Sequence, residues 1–338
     1  MIQGPLERAC AGQHLSGDET AALFSRIIAG ELDPPQIAGL LVALKAKGET
    51  PSEIAGAAGA LRAAASPFPR PDGVFADTCG TGGDGQHTVN VSTATAFVAA
   101  ALGVPVAKHG NRSVSSRCGS ADVLEACGVQ LDVDAQTSRR ALDTAGVCFL
   151  FAPRYHSGVR HAMPVRRALG TRTMFNLLGP LANPAAPPVQ LMGVYDPALC
   201  APLARTLGML GCQTALVVHG GGLDELALHA PTQAALLRDG LVTELVLTPE
   251  EANLERSPID ALRGGEPEEN AAWLQSLLSG HGAPAHQAAV AYNAGALAWL
   301  AGEFEHLAGG VAAARDVLAT DQALTHLEQL VEVTNGRA

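Results

Sequence analysis

The spacing of hydrophobic and polar residues changes character near residue 70. Before that point apolar residues recur at helical spacing, and each run opens on a cap. Ser16-Gly17-Asp18-Glu19 places a hydroxyl at the first position and a carboxylate three residues on, so that each can accept a backbone N–H at a helix start. Asp33-Pro34-Pro35 and Thr50-Pro51-Ser52-Glu53 open two further helices, with proline where no N–H is needed, and the last is expected to run to about residue 65. Pro67-Phe68-Pro69-Arg70-Pro71 cannot be helical and reads as a stiff linker.

Beyond the linker, short apolar runs alternate with helical patterns. Residues 74–77, 104–107, 147–151, 189–194 and 215–219 are the predicted strands, and helices are expected near 92–102, 120–127, 136–145 and 197–210. Such alternation implies a parallel sheet covered by helices. The stretch 161–183 interrupts it with a basic helix and Asn176-Leu177-Leu178-Gly179-Pro180, and 287–300 is a strongly apolar helix pattern. The end of the chain after residue 330 is expected to fray. The fold class is therefore α/β: a small N-terminal helical domain (1–70, with a contribution from about 161–183) and a larger α/β domain (71–338) with a mostly parallel central sheet.

Composition narrows the reading. Hydrophobic residues make up 47% of the 338 but aromatic residues only 4%, which suits a core of small aliphatic side chains on closely packed helices. The formal charge of −11 argues against a nonspecific grip on nucleic acid, which needs a basic face. The seven cysteines form no C-x-x-C pair, as expected of reduced thiols in a cytoplasmic protein rather than of a disulfide or zinc framework. No apolar run reaches membrane-spanning length, and the first thirty residues lack the pattern of a secretion signal.

Two polar loops carry the chemistry. Gly80-Thr81-Gly82-Gly83-Asp84-Gly85 fits G-x-G-x-x-G after a strand, but the next strand ends in Lys108-His109 rather than in the acid that would hold a ribose hydroxyl, so a dinucleotide site does not follow. A P-loop also fails, because no Gly-Lys-Ser/Thr comes after it. What remains is a loop whose backbone can approach an anion, ahead of a helix starting near Asn90-Val91-Ser92-Thr93, or else a tight turn with no ligand. The second loop, Lys108-His109-Gly110-Asn111-Arg112-Ser113-Val114-Ser115-Ser116, gathers two cations and several hydroxyls, which suits a counter-anion. A solvated charged loop is the alternative, and Arg112 could instead brace a carboxylate. Ser120 could cap the next helix or hold a phosphate oxygen. Asp224-Glu225, in a glycine-rich turn after a strand, could hold Mg²⁺ or merely begin a helix. One arginine of Arg166-Arg167 could pair with a substrate carboxylate.

Taken together, these segments resemble one family. Asp77-Thr78-Cys79-Gly80-Thr81-Gly82-Gly83-Asp84-Gly85 with Asn90-Val91-Ser92-Thr93, the 108–116 run, Gly119-Ser120-Ala121-Asp122, Arg172-Thr173-Met174-Phe175-Asn176-Leu177-Leu178-Gly179-Pro180-Leu181 with Asn183-Pro184, and Gly222-Leu223-Asp224-Glu225 are similar to the anthranilate phosphoribosyltransferases. The likeness runs from about residue 5 to 330. It implies the nucleoside phosphorylase and class III phosphoribosyltransferase type of fold, and a homodimer joined through the helical domain. The implied reaction transfers the phosphoribosyl group of phosphoribosyl pyrophosphate (PRPP) to the amine of anthranilate in tryptophan biosynthesis, with no covalent nucleophile.

By the same resemblance, Gly80, Gly83, Asp84, Thr88, Asn90, Ser92, Thr93, Lys108, His109, Gly110, Asn111, Arg112, Ser113, Ser115, Ser116 and Ser120 would bind PRPP. Gly80, His109, Asn111 and Arg166 would hold anthranilate. Ser92, Asp224 and Glu225 would serve Mg²⁺, two ions with substrate bound. An anthranilate synthase chain is the protein partner implied. His156-Ser157-Gly158-Val159-Arg160 departs from the His-Pro-Ala-Met-Lys of many members, which leaves the shape of the anthranilate entrance open. A pyrimidine nucleoside phosphorylase lacks Lys-His-Gly-Asn-Arg, and a nucleic-acid-binding relative should be basic with eroded motifs. Neither rival fits this chain.

Overall fold

The computed structural model describes residues 2–113 and 117–337. Seven strands form one sheet: β1 (Ala76–Gly80), β2 (Val106–Gly110), β3 (Val147–Phe151), β4 (Val189–Gly193), β5 (Thr214–His219), β6 (Thr232–Arg238) and β7 (Leu241–Leu247). Their order is β3-β2-β1-β4-β5-β6-β7. The first five run parallel, and β6 and β7 add an antiparallel hairpin at one edge. The chain winds outward from β1 in one direction and returns to its other side at β4. The C-terminal ends of β1 and β4 therefore flank the crevice where α/β sheets bind ligands.

Strand residues alternate between two cores. Leu191, Leu216 and Val218 face the C-terminal helices together with Phe97, Tyr292 and Leu297. Met192, Ala215 and Val217 face helix Cys200–Met209 and the N-terminal helices together with Phe24, Leu41 and Ile54. The N-terminal region is a bundle of Gln3–Cys10, Gly17–Ile28, Pro34–Lys47 and Pro51–Ala63. The expected capping box at Ser16/Glu19 is formed, and a second one forms at Thr50/Glu53. Glu53 has a second role: fully buried, it also accepts from Leu15 N–H at 2.7 Å and from Lys47 Nζ at 2.6 Å. Residues 161–183 form two short helices, Met163–Leu169 and Phe175–Leu181, and their Val165, Phe175 and Leu178 join the core of the N-terminal bundle.

The structure differs from the hydrophobic pattern in three places. β1 and β2 end three residues later than the apolar runs suggest, so Asp77, Thr78, Lys108 and His109 lie on strands although they are polar; all four are buried. The β6–β7 hairpin was not anticipated, because β7 is a largely exposed edge strand whose apolar residues do not alternate cleanly. Its turn, Asp239-Gly240, has positive φ at both residues, the geometry that two-residue hairpins favour. Finally, the chain end does not fray at residue 330: helix Gln322–Thr334 carries on, with Val333 and Thr334 buried. Among the described residues, no helix is long and apolar enough to cross a membrane.

Candidate active site

Three limbs meet over the ends of β1, β2 and β4. Gly80 and Gly193 are register partners at the last positions of β1 and β4, and Asp224 sits directly on both. A Cβ at Gly80 would overlap the Asp224 carboxylate, and one at Gly193 would overlap its carbonyl. Both positions therefore need glycine so that the acidic turn can approach the sheet. From there Asp224 Oδ2 accepts the N–H of Gly82 at 2.7 Å, so acidic turn and glycine loop form one unit.

The glycine loop is braced on its outer side as well. Val89 N–H donates to Leu262 O at 2.8 Å and Gly264 N–H to His87 O at 2.8 Å, with an isolated bridge between Thr88 and Arg263. Asp84 accepts from Gln86 N–H at 3.1 Å and its carboxylate lies against Asp224. Arg172 donates to Gly83 O while its guanidinium stacks 3.9 Å from the centre of the Tyr195 ring. At the start of helix Val91–Ala101, Asn90 accepts from the buried Asn270 amide at 2.9 Å, and the Ser92 N–H reaches Glu225. The Thr93 hydroxyl is buried with no partner among the described residues.

Lys108 is not in a solvated loop. It is 3% exposed, and its Nζ donates to Thr78 O at 2.5 Å and to Ser92 Oγ at 3.1 Å. Around it stand Glu225 and the fully buried Asp77. Asp77 accepts from the His109 backbone N–H at 3.3 Å and from Asn183 Nδ2 at 2.9 Å, and the same amide donates to Ala107 O at 2.8 Å. Burial, against the pull of Lys108 and Asn183, raises the Asp77 carboxyl. Burial also raises Asp224 and Glu225, helped by Asp84 beside the first and by Asp224 beside the second. Lys108 offsets Asp77 and Glu225, while Asp224 stands between Asp84 and Glu225, a balance that favours an added cation or protons.

Beyond Lys108 the second loop folds around one acid. Asp122 accepts from Ser113 N–H and Gly119 N–H, each at 2.9 Å, and Ala121 N–H donates to Asn111 O at 3.2 Å. Ser120 Oγ lies 3.4 Å from Asn111 O and packs on Gly110, where a Cβ would collide with it. Arg112 turns away onto helix Ser120–Ala126, with its two terminal nitrogens on Glu125 at 2.6 and 2.9 Å and one of them 3.2 Å from Asp122. These bonds raise its pKa further. The geometry makes Arg112 a brace between loop and helix. Ser115 and Ser116 lie outside the described residues.

The helical side supplies a different chemistry. His109 Nδ1 lies 3.0 Å from Gly179 O; because a carbonyl only accepts, the proton is on Nδ1, and Nε2 is left as a buried acceptor with no partner among the described residues. Burial, aided by His156 edge-on at 5.1 Å between ring centres, depresses His109 to about 3, so the ring is neutral. Arg166 lies 5.3 Å from the centre of the Phe175 ring and touches Met163 Sδ at 3.6 Å. Among the described residues it has no carboxylate, and burial lowers its pKa. In the 156–160 stretch, Gly158 is set by packing: a Cβ there would overlap Ile28 of helix Gly17–Ile28.

Sequence reasoning missed the supporting residues Asn183, Asn270, Arg172 and His219. His219 accepts the Gly222 N–H on Nε2 at 3.1 Å while Nδ1 faces Val194 O at 2.9 Å, which fixes the turn that leads into Asp224. Asn183 lies in the Asn183-Pro184 pair that attracted notice without a role. Arg172 likewise opens a noticed run without a role, and its partner Gly83, like the Asn90 partner of Asn270, is far away in sequence. His219 lies at a strand end with its partner Gly222 close by, but nothing in the run marks it as a brace.

The chain is similar to known proteins over its full length. Residues 72–324 match the model of the glycosyl transferase family a/b domain, and residues 5–65 that of the glycosyl transferase family helical bundle domain. An anthranilate phosphoribosyltransferase from Sorangium cellulosum is 62% identical over 338 residues, covering 100% of this chain and 97% of its own length. The solved enzyme of that name from Thermus thermophilus superposes with a TM-score of 0.93 at 46% identity, over 98% of this chain and 99% of its own. The Saccharomyces cerevisiae enzyme, solved with PRPP and Mg and again with 4-fluoroanthranilate, gives TM-scores of 0.90 and 0.89 at 25% identity, over 99% of this chain and 98% of its own. With this agreement from end to end, the chain belongs to the anthranilate phosphoribosyltransferase family.

Proposed function

We propose that this chain transfers the phosphoribosyl group of PRPP to the amine of anthranilate, releasing pyrophosphate and N-(5-phosphoribosyl)anthranilate, in tryptophan biosynthesis. The observation that carries the reading is the joint at Asp224, which rests on Gly80 and Gly193 and holds the Gly82 N–H. It places a carboxylate pair, a glycine loop and the buried Lys108 around one crevice, as transfer of a multiply charged leaving group requires.

In this reading the 80–85 backbone, Asp84, Thr88, Asn90, Ser92, Thr93, Lys108 and Ser120 hold PRPP from the strand ends. Gly110, Asn111, Ser113, Ser115 and Ser116 belong to the same grip, and Arg112 acts on it through the brace to Glu125. Asp224 and Glu225, with Ser92, fit magnesium: they offer only oxygen donors, and burial together with the neighbouring carboxylates raises their carboxyls, which an added cation would offset. Among the described residues no three His, Cys, Asp or Glu side chains form a metal cage, which suits an ion that binds one or two carboxylates and completes its shell with phosphates and water. When bound, magnesium supplies positive charge to the departing pyrophosphate, with two ions assigned to the loaded site.

Arg166 pairs with the anthranilate carboxylate, and Gly80, Asn111 and His109 line the acceptor side. His109 Nε2 can accept an N–H of the aromatic amine and so orient its lone pair toward C1′ of the ribose. The amine is neutral at pH 7, so no side chain needs to act as nucleophile or strong base. Rate enhancement comes from positioning and from charge placed around the leaving group. A homodimer through the helical domain, a cytoplasmic location and a domain boundary at residue 70 complete the proposal. In support of the dimer, Val42 is exposed beside Cys10, Gly39 and Ala43 in an apolar groove between helices Gln3–Cys10 and Pro34–Lys47.

The test is anthranilate fluorescence after mixing with PRPP, with and without Mg²⁺. Rapid, magnesium-dependent loss of signal is expected. Folded protein that consumes no anthranilate at any metal concentration would mean a different acceptor.

A further inference from the structure

Helix Pro284–Ala301 is apolar through its fully buried middle, where Val290, Ala291, Tyr292, Ala294, Ala296 and Leu297 have no exposure. Asn293 interrupts that run and is also fully buried. Its Oδ1 accepts the N–H of Leu226 at 3.1 Å. Its Nδ2 donates to the carbonyl of Leu226 at 3.3 Å and to Ala289 O, one turn back, at 2.9 Å. Both main-chain groups of the residue immediately after Glu225 therefore close on a single side-chain amide, much as they would on a neighbouring strand.

An amide in an apolar core is unfavourable unless its groups are bonded, and an aliphatic side chain there would carry no such cost. The residue is thus explained by what it holds. Asp224 has no slack toward the sheet, since its carbonyl and carboxylate already fill the room that Cβ atoms at Gly193 and Gly80 would take. It also has little slack away from the sheet, because a shift would lengthen the 2.7 Å bond from Gly82. His219 secures the turn upstream through Gly222, and Asn293 secures it downstream through Leu226.

We infer that Asn293 is a positioning residue for the acidic turn. By fixing both main-chain groups of Leu226 it sets where Asp224 and Glu225 present their carboxylates to magnesium and pyrophosphate. It touches no substrate, being buried in the core on the far side of the turn. The inference rests on the metal reading proposed above.

Two variants separate this role from simple packing. Asn293→Leu keeps the number and branching of the side-chain heavy atoms, with more bulk, and removes the bonds to Leu226. Val290→Ala opens a small cavity in the same buried stretch and leaves those bonds alone. Wild-type turnover is first measured against Mg²⁺ concentration; turnover that ignores magnesium would overturn the metal reading itself. With the wild type magnesium-dependent, Asn293→Leu should need about tenfold more Mg²⁺ for half-maximal turnover, as supporting residues of metal ligands usually show. Calorimetry should show a matching loss of PRPP affinity in the presence of Mg²⁺, with the anthranilate KM within about twofold of wild type. Val290→Ala should lower Tm and leave all three unchanged. An unshifted magnesium requirement in folded Asn293→Leu, or an equal shift in Val290→Ala, would overturn the inference. If Asn293→Leu does not fold, Asn293→Ser, too short to span both Leu226 groups, takes its place against the same control.

Discussion

The two sides of the crevice differ in how their buried polar groups are satisfied. On the strand-end side nearly every charged group is already bonded: Asp77 to Asn183 and the His109 backbone, Lys108 to Thr78 and Ser92, Asp122 to Ser113 and Gly119, Asp224 to Gly82. On the helical side two polar groups are buried and waiting: His109 Nε2 has no partner, and Arg166 has no carboxylate, among the described residues. In the proposed reading the first side is a scaffold preorganised for phosphate, where recognition reuses bonds that already hold the fold. The second leaves the ligand to satisfy donors and acceptors whose desolvation has already occurred, a state that favours a ligand of matching polarity over one lacking it.

The largest effect should come from the point where both sides depend on one turn. Asp224→Asn combined with Glu225→Gln should lower turnover by about 10³-fold, as expected when groups that stabilise a leaving charge are lost. The fold should survive and gain stability at alkaline pH. Both carboxyls are raised in the folded state, so they hold protons there that the unfolded chain has released, and the wild type loses stability as pH rises from the ordinary carboxylate range. Melting curves at pH 5 and pH 8 should show that loss in the wild type and not in the variant. A variant that keeps its turnover would remove the pair from catalysis.

Arg166→Ala should break the comparison on the helical side alone. The anthranilate KM should rise by about 10–100-fold, as for loss of a charge-assisted bond, while the PRPP KM stays within about twofold. Because the guanidinium is half-buried with no carboxylate among the described residues, its removal should not lower Tm. An unchanged anthranilate KM would place the acceptor elsewhere.

Much of this division was legible in the sequence, and the remainder has physical reasons for being hidden. Gly80, Lys108, Asp224 and Glu225 stand in local runs whose composition already implies an anion and a cation. The small helical domain announced itself through a capping box, proline-marked helix starts and a proline linker. Asn183, Asn270 and Asn293 could not be found this way, because each is a lone amide whose partners lie 76, 180 and 67 residues away. The lengths of β1 and β2 were hidden for a related reason. Their polar ends are buried only because those distant amides and backbone groups satisfy them.

His109 gives an intermediate effect that separates burial from chemistry. With its folded value near 3 and an ordinary value of 6.5, the folded state binds fewer protons than the unfolded chain between those limits, so stability falls as pH drops through that window. At pH 5 the difference amounts to about 2 kcal/mol. His109→Gln should flatten the contrast between urea unfolding at pH 7 and pH 5, and should reduce turnover by about tenfold through the lost acceptor. Equal acid sensitivity in wild type and variant would assign the loss to another group.

The smallest effect should be at Arg112, where sequence and structure pull in different directions. A cation in a run of hydroxyls suggests a phosphate ligand, yet its fork is spent on Glu125 and Asp122 at the surface. Exposed pairs of this kind contribute under about 1 kcal/mol. Arg112→Ala and Glu125→Ala should therefore each shift Tm slightly, and their double variant should shift it no more than the larger single change, because both remove the same brace. If the brace is all that Arg112 does, the PRPP KM should move by less than about threefold and equally in both single variants. A tenfold rise in Arg112→Ala without one in Glu125→Ala would instead mean that the guanidinium leaves Glu125 for the phosphate. The strand-end side would then, like the helical side, hold one group that waits for its ligand.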